Sequence, residues 1–250
     1  MRRLRSESDP SRPRDTRSGS PSPPAVIDVA LVRRVPIFAE FTDEEVAAIC
    51  STVTPRRFAR HEFIVREGEP GDTFFVIASG SVAVCRISPD GRETILSILK
   101  EGDFFGEMSM FDSSLRSASI KTLSEVEVGL IKQETFLEML EEHPRLARQF
   151  VVVLAERLRV ANRLVATTTS QDARARVASL LLYLAERFGE PSDDGTRITL
   201  RLTHQEMANM IGTTRETVNR ALNRFWDDHL VDRRSPQLVL TDMNGLRALL

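Results

Sequence analysis

Hydrophobic and polar positions along the chain follow three successive patterns. A short helix is predicted from Thr42, where Thr42 and Glu45 stand at capping-box spacing ahead of Val46, Ala47 and Ile49. The period then drops. Phe58, Phe63 and Val65, then Phe74, Val76, Val82 and Val84, alternate or cluster in short runs rich in β-branched and aromatic residues. Gly68, Gly71, Gly80, Gly91 and Gly102 punctuate these runs at roughly ten-residue spacing, as turns between antiparallel strands would. The pattern predicts an all-β barrel or roll that ends near Lys132.

Helical periodicity returns at Gln133 and is strongest after Pro144. Ala147, Val151, Leu154, Leu158, Ala161, Val165 and Thr168 recur at alternating steps of four and three, a heptad seam, with a second apolar row of Phe150, Val153, Val160 and Leu164 beside it. A helix of about 26 residues reaches roughly 40 Å at 1.5 Å per residue, longer than one small core covers. One apolar side is therefore expected to meet the same helix of a second subunit, and packing within the chain is the alternative.

From Asp172 onward the pattern predicts helices over 174–188, 203–210 and 214–226. Between the last two, Ala208 to Thr213 ends one helix at Gly212 and restarts the next with a hydroxyl cap, which makes a helix-turn-helix. Leu230-Val231 and Leu238-Val239-Leu240, separated by Arg233, Arg234 and Pro236, read as a terminal β-hairpin forming the wing. The expected fold class is α+β. Its parts are a disordered tail over 1–25, a β-roll over 26–143, a dimerisation helix and hinge over 144–171, and a winged helix-turn-helix over 172–250.

Composition changes this picture little. At 250 residues, 41% hydrophobic and 28% charged, the chain is ordinary for a globular protein. No apolar run approaches the eighteen or so residues that span a bilayer, and the first 25 residues have no signal-peptide core, so a cytoplasmic location and no membrane partner are expected. The net charge of −2 hides an uneven distribution: 1–25 carry six Arg against three acids, 26–170 carry 17 basic against 22 acidic residues, and 171–250 carry 11 of each. Any DNA-binding surface must then be a local cluster. The tail is rich in Pro, Ser and Arg, including Pro21, Pro23 and Pro24, and its arginines either touch DNA or form a solvated extension. Cys50 and Cys85 offer neither a disulfide framework nor a four-cysteine cluster. His61, His143, His204 and His229 are widely spaced, with no HExxH, GxSxG or P-loop pattern, so no enzyme, metal or haem is expected, although Cys85 or His61 could in principle ligate a haem.

Two segments carry chemistry. Phe105-Gly106-Glu107-Met108-Ser109-Met110-Phe111 is followed by Arg116-Ser117-Ala118-Ser119. A cyclic phosphate needs a fixed cation and exposed backbone N–H groups, and a ribose 2′-hydroxyl needs a carboxylate acceptor. Gly106 lets the backbone approach a ligand, Glu107 can supply the acceptor and Arg116 the cation. An ordinary salt bridge between Glu107 and Arg116 explains the same residues equally well. The second segment runs from Thr203-His204-Gln205-Glu206 to Thr214-Arg215-Glu216-Thr217-Val218-Asn219-Arg220. Arg215, Glu216, Asn219 and Arg220 fall in the first two turns of the second helix, where recognition helices meet base edges. A surface Glu216–Arg220 ion pair is the plainer alternative, and Thr203, Gln205, Thr214, Arg224 and Arg233 suit phosphate contacts. Phe225 and Trp226 read as core of the small domain.

FGE followed by R(S/T)A resembles the phosphate-binding cassette of cyclic-nucleotide-binding domains, and the (T/S)RE-T-V-x-R pattern resembles the recognition helix of the CRP/FNR family, the relatives of the catabolite activator protein. The resemblance covers roughly residues 30–250. It implies a cyclic-nucleotide-binding β-roll in which Glu107 holds the ribose while Arg116 and Ser117 hold the phosphate, with Gly106, Met108 and Ala118 beside them. It further implies cAMP as effector, a homodimer, palindromic double-stranded DNA with half-sites close to TGTGA, and RNA polymerase as partner. Where the catabolite activator protein presents adjacent Thr and Ser to the adenine, this chain carries Ala161 and Asn162. Asn162 can still bond a purine edge; Ala161 cannot. Arg157 could reach Glu107 and report occupancy to the dimer seam, or serve as a solvated flank charge. Competing readings are a cyclic-nucleotide-binding module that controls a protein partner, and a ligand-independent regulator of the same family.

Overall fold

The computed structural model describes residues 32–250 except 34, 113, 169–171 and 233–236, and leaves the side chains of 112 and 160–168 outside the description. The expected tail over 1–25 and Arg233 fall among the undescribed positions, and Asn162 among the undescribed side chains. A 3-10 turn, Pro36–Phe38, precedes α1 over Asp43–Thr52. Thr42 caps α1 as its spacing predicts: the Glu45 amide donates to Thr42 Oγ1 at 3.3 Å, and the Thr42 amide donates to Glu45 Oε2 at 2.7 Å.

Eight strands then build the roll: β1 Thr54–Phe58, β2 Phe63–Val65, β3 Thr73–Ser79, β4 Ser81–Ile87, β5 Glu93–Lys100, β6 Phe104–Phe105, β7 Ser119–Thr122 and β8 Val126–Lys132. They form two antiparallel sheets, ordered β1-β8-β3-β6 and β2-β7-β4-β5. The run Phe74–Ala78 is apolar at every position because both faces of β3 are covered. Phe75 and Ile77 point between the sheets with Val82, Leu99, Phe105 and Val128. Phe74, Val76 and Ala78 point the other way, into a layer made by helices. A one-residue slip of β3 against β8, where Phe75 pairs with Leu130, exchanges the two sets.

The helical layer contains α2 (Met108–Asp112), which no apolar periodicity foretells, then α3 (Gln133–Glu142) and α4 (Pro144–Thr168). Phe150 of α4 is buried in an aromatic cluster, its ring 5.1 Å from Phe104 and 5.7 Å from Phe136. Phe150 and Val153 of the second apolar row thus dock α4 on the roll. The heptad seam is divided: Leu154 is half-buried against the same cluster, whereas Val151 and Leu158 are 64% and 62% exposed. No helix among the described residues is long and apolar enough to cross a membrane.

The C-terminal part contains α5 (Ala173–Phe188), β9 (Gly189–Ser192), β10 (Gly195–Ile198), α6 (His204–Ile211), α7 (Arg215–Asp227), β11 (Val231–Asp232), β12 (Val239–Leu240) and α8 (Met243–Arg247). Asp172 caps α5, accepting from the Arg174 and Ala175 amides at 2.5 and 3.0 Å. Gly212 closes α6 in the left-handed conformation at φ 61°, which L side chains resist. The predicted terminal hairpin β11/β12 is present, but it is half of a four-stranded sheet ordered β11-β12-β10-β9. The β9/β10 hairpin escapes hydrophobic patterning because β9 is an edge strand reading Gly-Glu-Pro-Ser, where Pro191 lacks an amide to donate and little is buried. Phe225 is fully buried and Trp226 half-buried, as their reading as core expects. The hydrophobic cluster of this part extends onto Ile95 and Ile98 of β5, where α6 packs against the roll.

Candidate functional site

The β6–α2 corner and the loop before β7 frame a cavity of about 430 Å³. Gly106, Glu107, Met108, Arg116, Ser117 and Ala118 all line it, so the two halves of the sequence motif meet in space. Arg116 is its most distinctive group. It is only 6% exposed, yet among the described residues its hydrogen bonds go to neutral oxygens: Nη1 donates to Gly106 O at 2.8 Å and Ser109 Oγ at 3.0 Å, and Nη2 donates to Thr73 O at 2.8 Å. Its Nε is buried without a hydrogen-bond partner. Burial pushes the Arg116 pKa down, while the charges of Asp72, Glu107 and Glu69 pull it back up. A buried guanidinium lining a cavity, with no carboxylate bonded to it among the described residues, suits an anion.

Backbone pairing fixes the Arg116 segment, since Gly68 N donates to Arg116 O and Arg116 N to Glu69 O, both at 2.9 Å. The structure adds a second constraint at Gly106. Its φ of 86° and a would-be Cβ only 2.8 Å from both Arg116 Nη1 and Thr73 O show that the absent side chain makes room for Arg116 itself. Gly71, read from sequence as turn punctuation, is tighter still: a Cβ there meets Arg116 Nε at 2.0 Å.

The salt bridge weighed for Glu107 and Arg116 does not form. Glu107, 9% exposed, instead lies 3.4 Å from Arg157 Nη1 of α4. Arg157 also donates from Nη2 to Phe104 O at 2.6 Å and covers the Phe104 ring at 4.1 Å. Burial lowers the Arg157 pKa and the charge of Glu107 opposes that shift. This contact ties the cavity wall to α4. Ser117, exposed on the rim, donates to Met108 Sδ at 3.2 Å. Ser97, Asp103, Ser109, Glu156, Tyr183 and Arg187 are further polar residues of the lining, and none stands out in the sequence as a site residue.

The second candidate surface is the N-terminal half of α7, where Arg215, Glu216, Asn219 and Arg220 are all exposed. Thr214 caps α7 by accepting from the Thr217 amide at 3.2 Å, and Arg220 Nη2 donates to Thr217 Oγ1 at 3.3 Å. Thr203 caps α6, accepting from the Glu206 amide at 3.1 Å while its own amide donates to Glu206 Oε2 at 2.6 Å. Gln205 donates to Asn209 Oδ1 at 2.8 Å. Both threonine side-chain oxygens therefore serve helix starts, which orients α7 and leaves its charged first turns free to meet a groove. Among the described residues no group of three or more His, Cys, Asp or Glu is placed to hold a metal ion.

Comparison with known proteins agrees with this architecture. Residues 55–143 match the cyclic nucleotide-binding domain model, and residues 175–249 match the Crp-like helix-turn-helix domain model. A CRP-like cAMP-activated global transcriptional regulator of Mycobacterium tuberculosis is 38% identical over 216 residues, covering 86% of this chain and 96% of the relative. The cAMP-activated global transcriptional regulator CRP of Pasteurella multocida is 34% identical over 178 residues, covering 71% and 85%. Among solved structures, the c-di-GMP responsive global regulator CLP of Xanthomonas campestris superposes with a TM-score of 0.69 at 26% identity, covering 80% of this chain and all of that one. With a β-roll cavity built on Glu107 and Arg116, a winged helix-turn-helix behind it and relatives of this identity and coverage, the chain belongs to the CRP/FNR family of transcription regulators.

Proposed function

We propose that the protein is a cytoplasmic, cAMP-responsive regulator that binds near-palindromic double-stranded DNA as a homodimer and works with RNA polymerase. The observation that carries this reading is Arg116, a buried cation bonded only to neutral oxygens among the described residues, in a cavity that also presents Glu107. Arg116 and Ser117 hold the cyclic phosphate, Glu107 accepts from the ribose 2′-hydroxyl, and Gly106, Met108 and Ala118 shape the subsite. Asn162 is proposed to meet the base. When a ribose hydroxyl engages Glu107, its contact with Arg157 changes, and α4 receives the difference in energy between the free and occupied states.

Dimerisation through α4 is favoured by Val151 and Leu158, which stand in solvent along one stripe, and by Met108, Phe111 and Leu115, exposed on the same molecule beside the cavity. Exposed large apolar groups at heptad spacing are what a second copy covers. On DNA, Arg215, Glu216, Asn219 and Arg220 read base edges, while Thr203, Gln205 and Thr214 set register on phosphates.

Calorimetric titration with cAMP, cGMP and c-di-GMP tests the effector assignment, because the names of relatives include both cAMP and c-di-GMP responses. The wild-type chain is expected to bind cAMP, and Arg116→Ala to weaken that binding about tenfold to a hundredfold through the lost charged hydrogen bond, with circular dichroism unchanged. Equal cAMP affinity in wild type and Arg116→Ala contradicts the reading.

A further inference from the structure

A row of charges of alternating sign leads from the effector cavity to the DNA-binding part of the chain. Glu107 stands at one end, 3.4 Å from Arg157 Nη1. Besides burial, which acts most strongly on Arg157, the charges of Glu107 and Asp103 favour its cationic form and that of Arg187 opposes it. Asp103 Oδ2 in turn accepts from Arg187 Nη2 of α5 at 2.5 Å. The four side chains are no more than 30% exposed, so solvent screens the row less than it screens a surface pair. Asp103 and Glu107 flank β6, and the Phe104 carbonyl between them accepts from Arg157 Nη2 at 2.6 Å. Arg157 therefore meets β6 between the two carboxylates.

The Asp103–Arg187 pair belongs to a two-way clasp. Lys100 Nζ donates back to Arg187 O at 2.5 Å, in the last turn of α5, where a cation also suits the helix dipole. Asp103 Oδ2 accepts from the Lys100 amide at 2.9 Å as well, which fixes the turn that carries both roll residues. Elsewhere the DNA-binding part meets the roll through an apolar surface, in which Ile95 and Ile98 join the cluster of α5 and α6, and through a 3.5 Å contact from Asn209 Nδ2 to Glu93 Oε1. Apolar burial is non-directional. It holds α5 against the roll, and the directional clasp selects where along the roll α5 sits.

We propose that Asp103 and Arg187 are positioning residues of the allosteric response: their ion pair holds the DNA-binding part in a low-affinity placement on the roll, and an occupied cavity loosens it through Arg157. The proposal rests on the cyclic-nucleotide reading above and adds to it a route to α5 that bypasses the dimer seam. Charges in such a row compete for partners. A ribose hydroxyl that donates to Glu107 takes up acceptor capacity that Arg157 otherwise uses. Arg157 is then drawn further toward Asp103, the other carboxylate whose charge acts on it, and Arg187 loses part of its hold. Breaking the clasp by mutation therefore imitates the nucleotide: DNA binds more tightly without effector, and the effector has less to add.

The test is the affinity of the full-length chain for DNA sites that the wild type selects from a random pool, at fixed salt, with and without saturating cAMP, in wild type, Asp103→Asn, Arg187→Glu and Arg187→Lys. Asp103→Asn removes the charge and keeps an acceptor for the Lys100 amide. Arg187 uses one nitrogen on Asp103, so Arg187→Lys can keep the pair. Asp103→Asn and Arg187→Glu are expected to tighten nucleotide-free DNA binding about fivefold or more and to cut the cAMP effect to about twofold or less, while Arg187→Lys stays within about twofold of wild type. Nucleotide-free affinity at or below the wild-type value in Asp103→Asn and Arg187→Glu overturns the proposal. Arg187→Lys behaving as Arg187→Glu also overturns it, because the effect then belongs to packing. If wild type ignores cAMP while Asp103→Asn and Arg187→Glu still bind DNA more tightly, the clasp stands and the cAMP assignment falls. If wild type responds to cAMP and no variant alters nucleotide-free affinity, the cAMP assignment stands and the clasp falls.

Discussion

Gly71 leaves no room for a side chain because the Arg116 guanidinium already occupies the space, 2.0 Å from where a Cβ would stand. Gly71→Ala is therefore expected to push Arg116 out of its bonds to Thr73 O, Gly106 O and Ser109, and to weaken cAMP about tenfold or more in the same titration. Retained affinity in a folded Gly71→Ala chain would show that Arg116 does not need its present position. At this scale the sequence is informative where chemistry is contiguous: Gly106, Glu107, Arg116, Ser117 and Ala118 lie in two short segments whose residue types suggest anion and hydroxyl recognition. It is silent on Gly71, whose constraint comes from a side chain brought near by a loop. It is equally silent on Tyr183 and Arg187, which reach the cavity only because α5 packs beside β5. The Glu107–Arg116 ion pair, open as an alternative in the sequence, gives way to a Glu107–Arg157 contact for a similar reason: three neutral oxygens surround Arg116 and satisfy its terminal nitrogens first.

Helix α4 has two apolar sides with different fates. Phe150 and Leu146 are buried against β3 and α3, so this side fastens the helix to its own roll. Val151 and Leu158 remain in solvent, and covering them stabilises a second copy by roughly 1.5–3 kcal/mol for each large side chain fully buried. Leu158→Glu places like charges across that seam, and sedimentation is expected to show a dimer for wild type at micromolar concentration and a monomer for the variant. A wild-type monomer under those conditions contradicts the proposed dimer; an equally stable Leu158→Glu dimer moves its interface elsewhere. Element boundaries were legible where local chemistry marks them, as at the Thr42 cap, the hydroxyl cap that starts α7 and the left-handed Gly212, whereas the Asp172 cap of α5 was not read from the sequence. The β9/β10 hairpin and α2 were not legible, because an edge strand with little burial and a five-residue helix carry too few apolar positions to reveal a period.

In the whole molecule three levels connect: a cavity holding a buried cation, a long helix touching that cavity through Arg157, and an exposed helix α7. The order of parts was legible from the change of hydrophobic period, but the apposition of α6 and β5 was not, since the pairing of two surfaces far apart in sequence leaves no local pattern. The most direct test of the central claim is the affinity for DNA selected from a random pool, measured at fixed salt with and without cAMP, for wild type and Arg220→Ala. The expected sites are two-fold symmetric with half-site centres about 34–36 Å apart. Saturating cAMP is expected to tighten wild-type binding at least about fivefold, in the range of ordinary allosteric coupling. Arg220→Ala should cost about 1–3 kcal/mol and relax preference at one base pair of each half-site. Equal affinity with and without nucleotide, or selected sites without two-fold symmetry, would contradict the account.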